Sequence, residues 1–418
     1  MQAIRKTRIR RQSMNASINK SVATGIVAAP PSKSMAHRLM IGAALAGGKS
    51  IIHGISDSQD MLATIDCLTG LGALVERKGM DAYIDGSGYL KDVADGTVIN
   101  TRESGSTLRF MIPMCLMCGS DITLVGSERL MERPMSVYED ICQKQGLTFE
   151  KVDGKIRVAG QLSYDRYLLP GDISSQFITG LLFVLPLLEK ESRIELIPPV
   201  ESRSYINMTI MALSYYGVKV TWESDTVLHI PGAQAYKPME LTVEGDYSNA
   251  AFLDAFNVIG GQVQVNGLLE DSLQGDKIYK QYFEKISAGD CLLDIKDCPD
   301  LGPILMALMA AKHGGKLTGT RRLRIKESDR GEAMKAELHK LGCDIVVEDD
   351  EIIVPATKLI APSEPVNSHN DHRIVMSMAI LLTLTGGRIE DAGAVRKSFP
   401  DFFDLIGTLS VEVELDDR

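Results

Sequence analysis

The stretch GIVAAPPSKSMAHRLMIGAALAGGKSII, residues 25–52, contains the unit from which the whole chain is built. GIVAAP predicts a short apolar strand and PSKS a polar break. MAHRLMIGAALA predicts a helix, because its apolar residues recur at helical spacing. The pair Gly47-Gly48 ends this helix, as a left-handed glycine commonly does, and residues 50–52 begin the next strand.

The same order of strand, polar break, helix and strand recurs along the chain. Six breaks mark it: PSKS (31–34), ESGS (103–106), GDISS (171–175), GDYSN (245–249), DCPD (297–300) and NDHR (370–373). Most intervals between breaks are roughly 70 residues, a length at which one supersecondary unit recurs. The interval from Ser248 to Asp300 is shorter, so the repeat is imperfect.

Less apolar second helices lie between the breaks, for example at residues 60–73 and 329–343, and short hairpin-like strands follow them. The pattern predicts an α/β protein of six units, each roughly β-α-β-α-β-β, in two similar domains. We expect three units in residues 31–246 and three in residues 247–418. Residues 1–30 would form a basic extension and an N-terminal strand that packs with the second domain. Layered α/β packing alone explains such a repeat, so function must be argued from the helix starts.

Length and composition limit the class of protein. A chain of 418 residues exceeds what one core usually holds, and 44% hydrophobic with 24% charged residues is typical of a soluble protein. No apolar run approaches the ~20 residues that span a bilayer. The net charge of −10 argues against a nucleic-acid surface. A small anion can still bind in a cleft whose local field is positive.

The seven scattered cysteines favour a reducing cytoplasm over a disulfide framework. Cys115 and Cys118 have CxxC spacing, but they lie in an apolar run without a second pair. We therefore predict ordinary buried thiols there. Residues 5–20 are basic and polar and lack the apolar core of a signal peptide. We interpret them as a disordered extension, with a transit-like presequence as the alternative.

The residues at the helix starts point to anion binding. A helix start carries unpaired N–H groups and a partial positive charge. In PSKSMAHR, Ser34 can cap the helix or donate its hydroxyl to an anion, and Lys33 and Arg38 lie about a turn apart. Taken alone, this motif is better explained by a serine cap beside a solvated lysine.

Two further clusters add titratable groups. LRIKESDR (323–330) normally would be a solvated helix face, but it lies at a strand-to-helix junction and mixes cations with Glu327, as proton-transfer sites do. NDHR adds His372 and Arg373, although a lone histidine is more often structural. The sequence has no Walker A motif, dinucleotide fingerprint or zinc-type Cys/His group. We expect chemistry without cofactor or metal on a multiply anionic substrate.

Eight motifs together resemble the enolpyruvyl transferase family. They run in order along nearly the whole chain: APPSKSMAHR (29–38), SGSTLRF (104–110), SERLMERP (127–134), GDISSQFITGLL (171–182), SRSYINMT (202–209), LRIKESDR (323–330), NDHRIVM (370–376) and KSFPDFF (397–403). The combination is specific and is most similar to the branch that acts on shikimate 3-phosphate. It implies transfer of the enolpyruvyl group of phosphoenolpyruvate to the 5-hydroxyl of that acceptor by addition–elimination, with release of phosphate, in aromatic amino-acid biosynthesis. It also implies a cytoplasmic monomer whose two domains, of the inside-out α/β barrel type, close around small-molecule substrates.

The resemblance implies roles for individual residues. Asp300 would take the proton of the attacking hydroxyl, and Glu327 and Lys33 would serve the methylene carbon with His372 beside them. Shikimate 3-phosphate would be held by Lys33, Ser34, Arg38, Ser174, Ser175, Gln176, Ser202, Tyr205, Asp300 and Lys326. Phosphoenolpyruvate would be held by Lys33, Gly105, Arg129, Gln176, Arg330, Arg373 and Lys397. Two phosphates and a carboxylate repel one another, so this reaction requires many cations.

Some positions depart from the family pattern. They are Glu103 for asparagine, Phe110 for proline, Arg322 for an asparagine ligand of some members, and Ala36-His37 for Ser/Thr-Asn. Glu103 adds a negative charge near the anion site, and Phe110 is expected to change the seating of the helix that bears Gly105. This glycine resembles the one whose missing side chain leaves room for the inhibitor glyphosate, which implies sensitivity.

Rival functions leave different traces in a sequence. The sister enzyme that acts on UDP-N-acetylglucosamine typically carries a reactive cysteine ahead of an Arg-Pro pair, and VGSERLMERP (125–134) has none. An RNA-end enzyme would need basic residues interleaved with aromatic ones. A non-catalytic anion-binding scaffold would gain nothing from the carboxylates Asp300 and Glu327.

Overall fold

The computed structural model describes residues 14–417, so residues 5–13 of the predicted disordered extension lie outside the described residues. The prediction is wrong for Met14–Ile18, which form a strand paired on both sides. Its α-helices, in chain order, are α1 Lys33–Leu45, α2 Gln59–Gly70, α3 Gly105–Cys118, α4 Glu128–Glu132, α5 Ser136–Gln145, α6 Ser175–Val184, α7 Arg203–Tyr215, α8 Tyr247–Val258, α9 Tyr279–Ala288, α10 Gly302–Ala311, α11 Arg330–Lys340, α12 His372–Thr385 and α13 Phe402–Thr408. Short 3-10 turns occupy Leu185–Leu187, Gly275–Ile278, Pro299–Leu301, Arg321–Ile325 and Ala392–Lys397.

The six polar breaks are the starts of the six most buried helices: α1, α3, α6, α8, α10 and α12. At five of these starts a side-chain oxygen caps the helix by accepting a backbone N–H: Ser32, Ser104, Ser174, Asp246 and Asp371. Helix α10 is instead entered through the turn Pro299–Leu301. The predicted sequence of breaks and apolar helices is confirmed.

Each unit contributes one small sheet. Three four-stranded sheets fall in the first half: Glu240–Thr242, Lys49–His53, Asp81–Asp85, Leu74–Lys78; Thr97–Asn100, Ile122–Val125, Lys155–Ala159, Thr148–Val152; and Arg166–Pro170, Ser192–Ile197, Val227–Ile230, Thr221–Trp222. The second half has Cys291–Asp294, Gly315–Thr318, Glu351–Val354, Val346–Val347; Val366–Asn367, Gly387–Glu390, Met14–Ile18, Val413–Asp417; and the two-stranded Gln262–Asn266, Thr24–Ala28. This short sheet accounts for the short interval between Ser248 and Asp300.

The five larger sheets share one pattern: a parallel pair followed by two antiparallel pairings. Parallel strands need a crossover connection, which the buried helices α3, α6, α10 and α12 supply in four of these sheets. In the fifth sheet, Glu240–Thr242 returns from far along the chain to pair with Lys49–His53. The predicted α/β class of repeated units is therefore confirmed.

The buried apolar residues form two separate cores. One contains residues between Met35 and Val243, and the other combines Met14–Val27 with residues from Tyr247 to Val411. The chain passes between the cores twice, and the two passages lie side by side. Pro31 and Gly245 form an antiparallel bridge there, and the amide N–H of Ser32 donates to the carbonyl of Glu244 at 2.8 Å.

The cysteine prediction is also confirmed. All seven thiols are free, with Cys115 buried and Cys118 half-buried. Burial raises the pKa of Cys118 to about 11 and that of Cys115 well above its ordinary value, which makes both poor nucleophiles. Within residues 14–417, no helix has both the length and the apolar character to cross a membrane.

Candidate active site

A cavity between the two cores collects most of the residues predicted from the sequence. The starts of α1, α3, α6 and α12 face it, together with the segment that connects the turn Arg321–Ile325 to α11. The predicted residues that line it are Lys33, Ser34, Arg38, Gly105, Ser174, Ser175, Gln176, Tyr205, Asp300, Lys326, Glu327, Arg330 and His372. Several positive helix ends thus point toward one polar chamber, which suits an anionic ligand.

The remaining predicted residues do not line this cavity: Arg129, Ser202, Arg373 and Lys397. The side chain of Arg129 is 54% exposed, and its Nη1 lies 3.8 Å from an oxygen of Glu132. Ser202 is fully buried behind the wall. Arg373 lines a smaller adjoining cavity, and Lys397 faces an outer cleft.

Arg330 organises the carboxylates of the site. Its guanidinium is 1% exposed and is surrounded by three acids. Nη1 lies 2.7 Å from Asp300 Oδ1, Nη2 lies 2.8 Å from Glu327 Oε2, and Nε lies 2.9 Å from Asp371 Oδ2. Because these contacts engage all three nitrogens, Arg330 orients the two predicted proton-transfer groups.

Both of those carboxylates are ionised. Burial raises the pKa of Asp300, but Lys326 and Arg330 outweigh it and hold that pKa well below its usual range. Lys326 Nζ lies 3.1 Å from Asp300 Oδ1. Burial likewise raises the pKa of Glu327, and Arg330 and Arg133 hold it well below its ordinary value. The site therefore contains two proton acceptors in a cation-rich wall.

Lys33 is the charged partner of these acceptors. Burial lowers the pKa of its ammonium group, but Asp60 and Glu327 outweigh this and raise it. Lys33 Nζ donates to Asp60 Oδ2 at 2.8 Å. A lysine held in its charged form can donate a proton but cannot accept one.

His372 is neutral. Burial and the charge of Arg373 hold its pKa well below the usual range. Neither ring nitrogen finds a hydrogen-bond partner among the described residues, although the ring is 2% exposed and lines the cavity. A neutral imidazole offers one donor and one acceptor to a ligand.

Two arginines flank Gly105. A Cβ placed on this glycine would lie 2.5 Å from Arg133 Nη1 and 3.3 Å from Arg109 Nη1. Arg109 Nη1 donates to the Gln176 side-chain oxygen at 2.7 Å, and Gln176 Nε2 donates to Ser106 Oγ at 2.8 Å. The bare glycine thus lets cationic groups approach the start of α3.

Arg38 is bound to the protein more than the sequence suggests. Its guanidinium donates to Thr209 Oγ1 at 2.9 Å and to the carbonyl oxygens of Ser34 and Tyr205 at 2.5 and 3.0 Å. Burial lowers its pKa to about 10. Arg38 therefore ties α1 to α7 while one face of it borders the cavity.

Two of the residues that differ from the family pattern connect the cores across the cleft. Glu103 Oε2 lies 2.6 Å from Lys397 Nζ and accepts from the Asn370 side chain at 3.1 Å. On the other side, Arg322 donates to Ser202 Oγ, and the Ser202 N–H donates to Asp297 Oδ1 at 2.6 Å. The cleft is thus held by polar contacts at both edges.

The other residues that differ from the family pattern, Phe110 and Ala36-His37, lie within the first core. Phe110 is buried and packs edge-on against His37, with ring centroids 6.0 Å apart. His37 in turn shares a hydrogen bond of 2.8 Å with Thr64. These contacts hold helix α3 against helices α1 and α2.

Sequence reasoning gave no site role to some residues of the cavity wall: His37, Asp60, Arg109, Arg133 and Arg322. Arg109 and Arg133 lie within the quoted motifs, so their position beside functional residues was an available signal. Asp60 lies at the start of α2, behind the cap Ser58, where an acid is an ordinary helix-start residue. Nothing in its local sequence indicates that it faces Lys33.

The fold matches solved enolpyruvyl transferases over nearly its whole length. An EPSP synthase of Acinetobacter baumannii superposes with a TM-score of 0.77 at 23% identity, covering 97% of this chain and 100% of that one. The enolpyruvyl transferase NikO of Streptomyces tendae gives a TM-score of 0.76 at 12% identity, covering 97% and 99%. At such identities the likeness establishes the fold, which is that of the enolpyruvyl transferases.

Sequence comparison identifies the family within the enolpyruvyl transferases to which the chain belongs. A family model described as EPSP synthase (3-phosphoshikimate 1-carboxyvinyltransferase) matches residues 19–406. A 3-phosphoshikimate 1-carboxyvinyltransferase of Clostridium kluyveri is 36% identical over 95% of this chain and 98% of its own. One of Clostridium botulinum strain Alaska E43 is 38% identical over 91% and 94%. The chain belongs to the EPSP synthase family. This is an enzyme family, as predicted, and the rival classes are not favoured.

Proposed function

We propose that this chain transfers the enolpyruvyl group of phosphoenolpyruvate to the 5-hydroxyl of shikimate 3-phosphate and releases phosphate. One observation carries the proposal beyond family membership. Two ionised carboxylates, Asp300 and Glu327, are held by one buried arginine inside a cavity lined by cations. Anion binding alone would gain nothing from these acids, whereas addition and elimination both need proton acceptors.

The addition step uses Asp300 and Lys33. Asp300 accepts the proton of the 5-hydroxyl while the oxygen of that hydroxyl forms a bond to C2 of phosphoenolpyruvate. The charged Lys33 donates a proton to C3, which becomes a methyl group. In the elimination, Glu327 accepts a proton from that methyl group, the bond between C2 and the phosphate oxygen breaks, and phosphate leaves with one proton, which is the net fate of the hydroxyl proton. Glu327 then returns its proton to Lys33, which restores both groups. His372 serves as a neutral hydrogen-bonding group beside them.

The cavity wall supports two anion subsites. The hydroxyls of Ser174 and Ser175, with Lys326, would hold the phosphate of the acceptor, and Ser34, Arg38, Gln176 and Tyr205 would complete that subsite. Ser202 would support it from behind the wall through its hydrogen bond from Arg322. Arg133, which borders Gly105, would join Arg330 as a ligand of phosphoenolpyruvate. The other predicted ligands, Arg129, Arg373 and Lys397, lie outside this wall and would reach the substrate only when the cleft closes. Preorganised cations of this kind stabilise charge that develops in the transition state without reorganising. The same subsite, around the bare Gly105, would admit glyphosate.

We further propose that the two cores are two domains, joined at the paired passages near Pro31 and Gly245, that close on substrate. Closure would exclude water and strengthen the ionic contacts. We also expect a monomer, as the family resemblance implies, and the free cysteines suit the cytoplasm. Size-exclusion chromatography with light scattering tests the oligomeric state.

Phosphate release tests the reaction directly. The full chain is mixed with both substrates, with each omitted in turn, and with UDP-N-acetylglucosamine replacing the acceptor. We expect release only when phosphoenolpyruvate and shikimate 3-phosphate are both present. No release with this pair, or release with the sugar nucleotide instead, contradicts the proposal.

Asp300→Asn tests the mechanism. It removes the proton acceptor but retains the shape of the side chain, so kcat should fall by ~10²–10⁴, the usual range for general-base loss, with little change in KM. Asp349→Asn is the matched control, because Asp349 is an exposed partner of Arg321 and Arg324 in the same half of the chain. A kcat for Asp300→Asn within tenfold of the unmodified protein would rule out this role.

A further inference from the structure

A second, smaller cavity adjoins the first behind Tyr205. Its wall includes Asp246, Ser248, Asp276, Asp300 and Arg373, and its volume is about 20 Å³. A polar cavity of that size accommodates one water molecule. Asp300 belongs to the walls of both cavities, so this chamber lies directly behind the proposed base.

Three buried polar groups of this chamber have no hydrogen-bond partner within residues 14–417. They are Asp276 Oδ1, Ser248 Oγ and Arg373 Nε, on side chains of residues that are 3, 6 and 3% exposed. Leaving such groups unpaired costs ~1–3 kcal/mol each. A single water that hydrogen-bonds to them removes that cost, because buried waters typically make about three such bonds.

Asp276 itself is firmly placed. It lies in the 3-10 turn Gly275–Ile278, and its Oδ2 accepts from the Tyr205 hydroxyl at 3.1 Å. Tyr205 belongs to the first half of the chain and Asp276 to the second. The sequence gives no motif at this turn, and no step of the proposed reaction uses this carboxylate.

We propose that a water in this chamber connects Asp300 to Asp276, and that Asp276 is a positioning residue that receives through it the proton taken by Asp300. This inference rests on the proposed function. The proton leaves the 5-hydroxyl for Asp300 as the new C–O bond forms. Asp300 then gives a proton to the water, and the water gives one to Asp276, which becomes a carboxylic acid. The water is regenerated and no electrons change hands. As phosphate leaves, Asp276 gives the proton back along the same path to that phosphate, so both carboxylates are ionised again for another turnover.

The charges around the chamber favour this direction. Burial, with the negative charges of Asp300 and Asp246, raises the pKa of Asp276 to about 7, against the lowering effects of Arg373 and the Tyr205 hydrogen bond. Asp300, beside its cations, has a pKa well below its usual range. Asp276 is therefore the stronger base, and a proton passes from Asp300 to Asp276 downhill.

The pH profile of kcat distinguishes this relay from a structural role. Lys33 also borders the chamber, and its charge is fixed across the neutral range. Asp276 must be ionised to accept, so kcat of the unmodified protein should rise with pH through a limb near 7. In Asp276→Asn this limb should disappear and kcat should fall by ~10-fold or more, with both KM values within about threefold. Asp276→Glu should retain a limb and part of the lost kcat.

Asp254→Asn is the matched control, since Asp254 is also a part-buried carboxylate that accepts from a tyrosine, Tyr279, but lies outside both cavities. It should leave the limb unchanged. An Asp276→Asn protein that retains the limb, or an Asp276→Glu protein that loses it, overturns the relay. If the unmodified protein releases no phosphate from the substrate pair, the proposed function fails instead, so the two failures are distinct.

Discussion

Replacing Arg330 by glutamine removes the cation that three carboxylates share. Asp371 would then be left fully buried, and Asp300 and Glu327 would be only 26 and 20% exposed. Breaking a buried ion pair costs ~3–5 kcal/mol, because it leaves an uncompensated charge. Since domains are stable by only ~5–15 kcal/mol, we expect the second core to lose about a fifth or more of its free energy of unfolding at pH 7.

The loss should depend on pH. Although burial opposes it, cations including Arg330 hold the pKa values of Asp300 and Glu327 well below their usual range. A lowered folded-state pKa contributes stability above the unfolded value of ~4 and loses it as the pH falls through the folded pKa. Without Arg330 the folded-state pKa values of both carboxyls rise, so the variant has less of this stability to lose on acidification than the unmodified protein. The difference between variant and unmodified protein should therefore shrink as the pH falls below ~4 toward the folded-state pKa values, by ~1.4 kcal/mol for each pKa unit restored.

Urea unfolding followed by circular dichroism measures this difference. The single tryptophan, Trp222, packs against the first core, so its fluorescence reports separately on the half that the change does not touch. Arg324→Gln is the control, because the exposed pair of Arg324 with Asp349 contributes ~0–1 kcal/mol. A loss below ~1 kcal/mol for Arg330→Gln, or a loss that does not vary with pH, would refute the assignment of Arg330 as the charge hub.

The remaining predictions concern phosphoenolpyruvate and are checked by steady-state phosphate release. Gly105→Ala places a Cβ 2.5 Å from Arg133 Nη1, so it should displace that guanidinium and raise KM for phosphoenolpyruvate roughly tenfold or more, since a charged hydrogen bond contributes ~1.5–3 kcal/mol. An unchanged KM would mean that Arg133 does not bind this substrate. Glu103→Gln removes the 2.6 Å ion pair with Lys397 and should lower the same KM by ~2–5-fold, because an ion pair of ~0.5–1 kcal/mol no longer competes for the lysine. A higher KM would instead show that the pair is needed to close the cleft.

The fold could be predicted largely from local signals. The breaks at PSKS and NDHR predict helix starts because each contains a capping serine or acid. Apolar residues at helical spacing follow, and glycines end the helix, so all these signals lie within one short stretch of sequence. The site required more, since it forms where helix starts from distant parts of the chain converge. For Lys33, Asp300 and Glu327, it was the resemblance of their motifs to the family that predicted that they share one site.

What could not be predicted depends on contacts between distant segments. The sequence shows Arg330 as one cation of a charge cluster, but not that three acids engage its guanidinium. It places Arg129 and Arg133 equally in one motif, and only the packing of α4 decides which of them borders the cavity. Asp276 carries no local signal at all, because its importance comes from burial beside a base that lies more than twenty positions further along the chain.

The strands Met14–Ile18 and Thr24–Ala28 are made before any other described part of the chain, yet their partners come much later. Thr24–Ala28 pairs with Gln262–Asn266, and Met14–Ile18 lies between Gly387–Glu390 and Val413–Asp417. During synthesis the first core can assemble from one continuous segment, while these strands wait with unpaired edges that are prone to aggregation. The second core is completed only once Val413–Asp417 has been translated. Ribosome-associated chaperones should therefore matter more for this half of the protein than for the first.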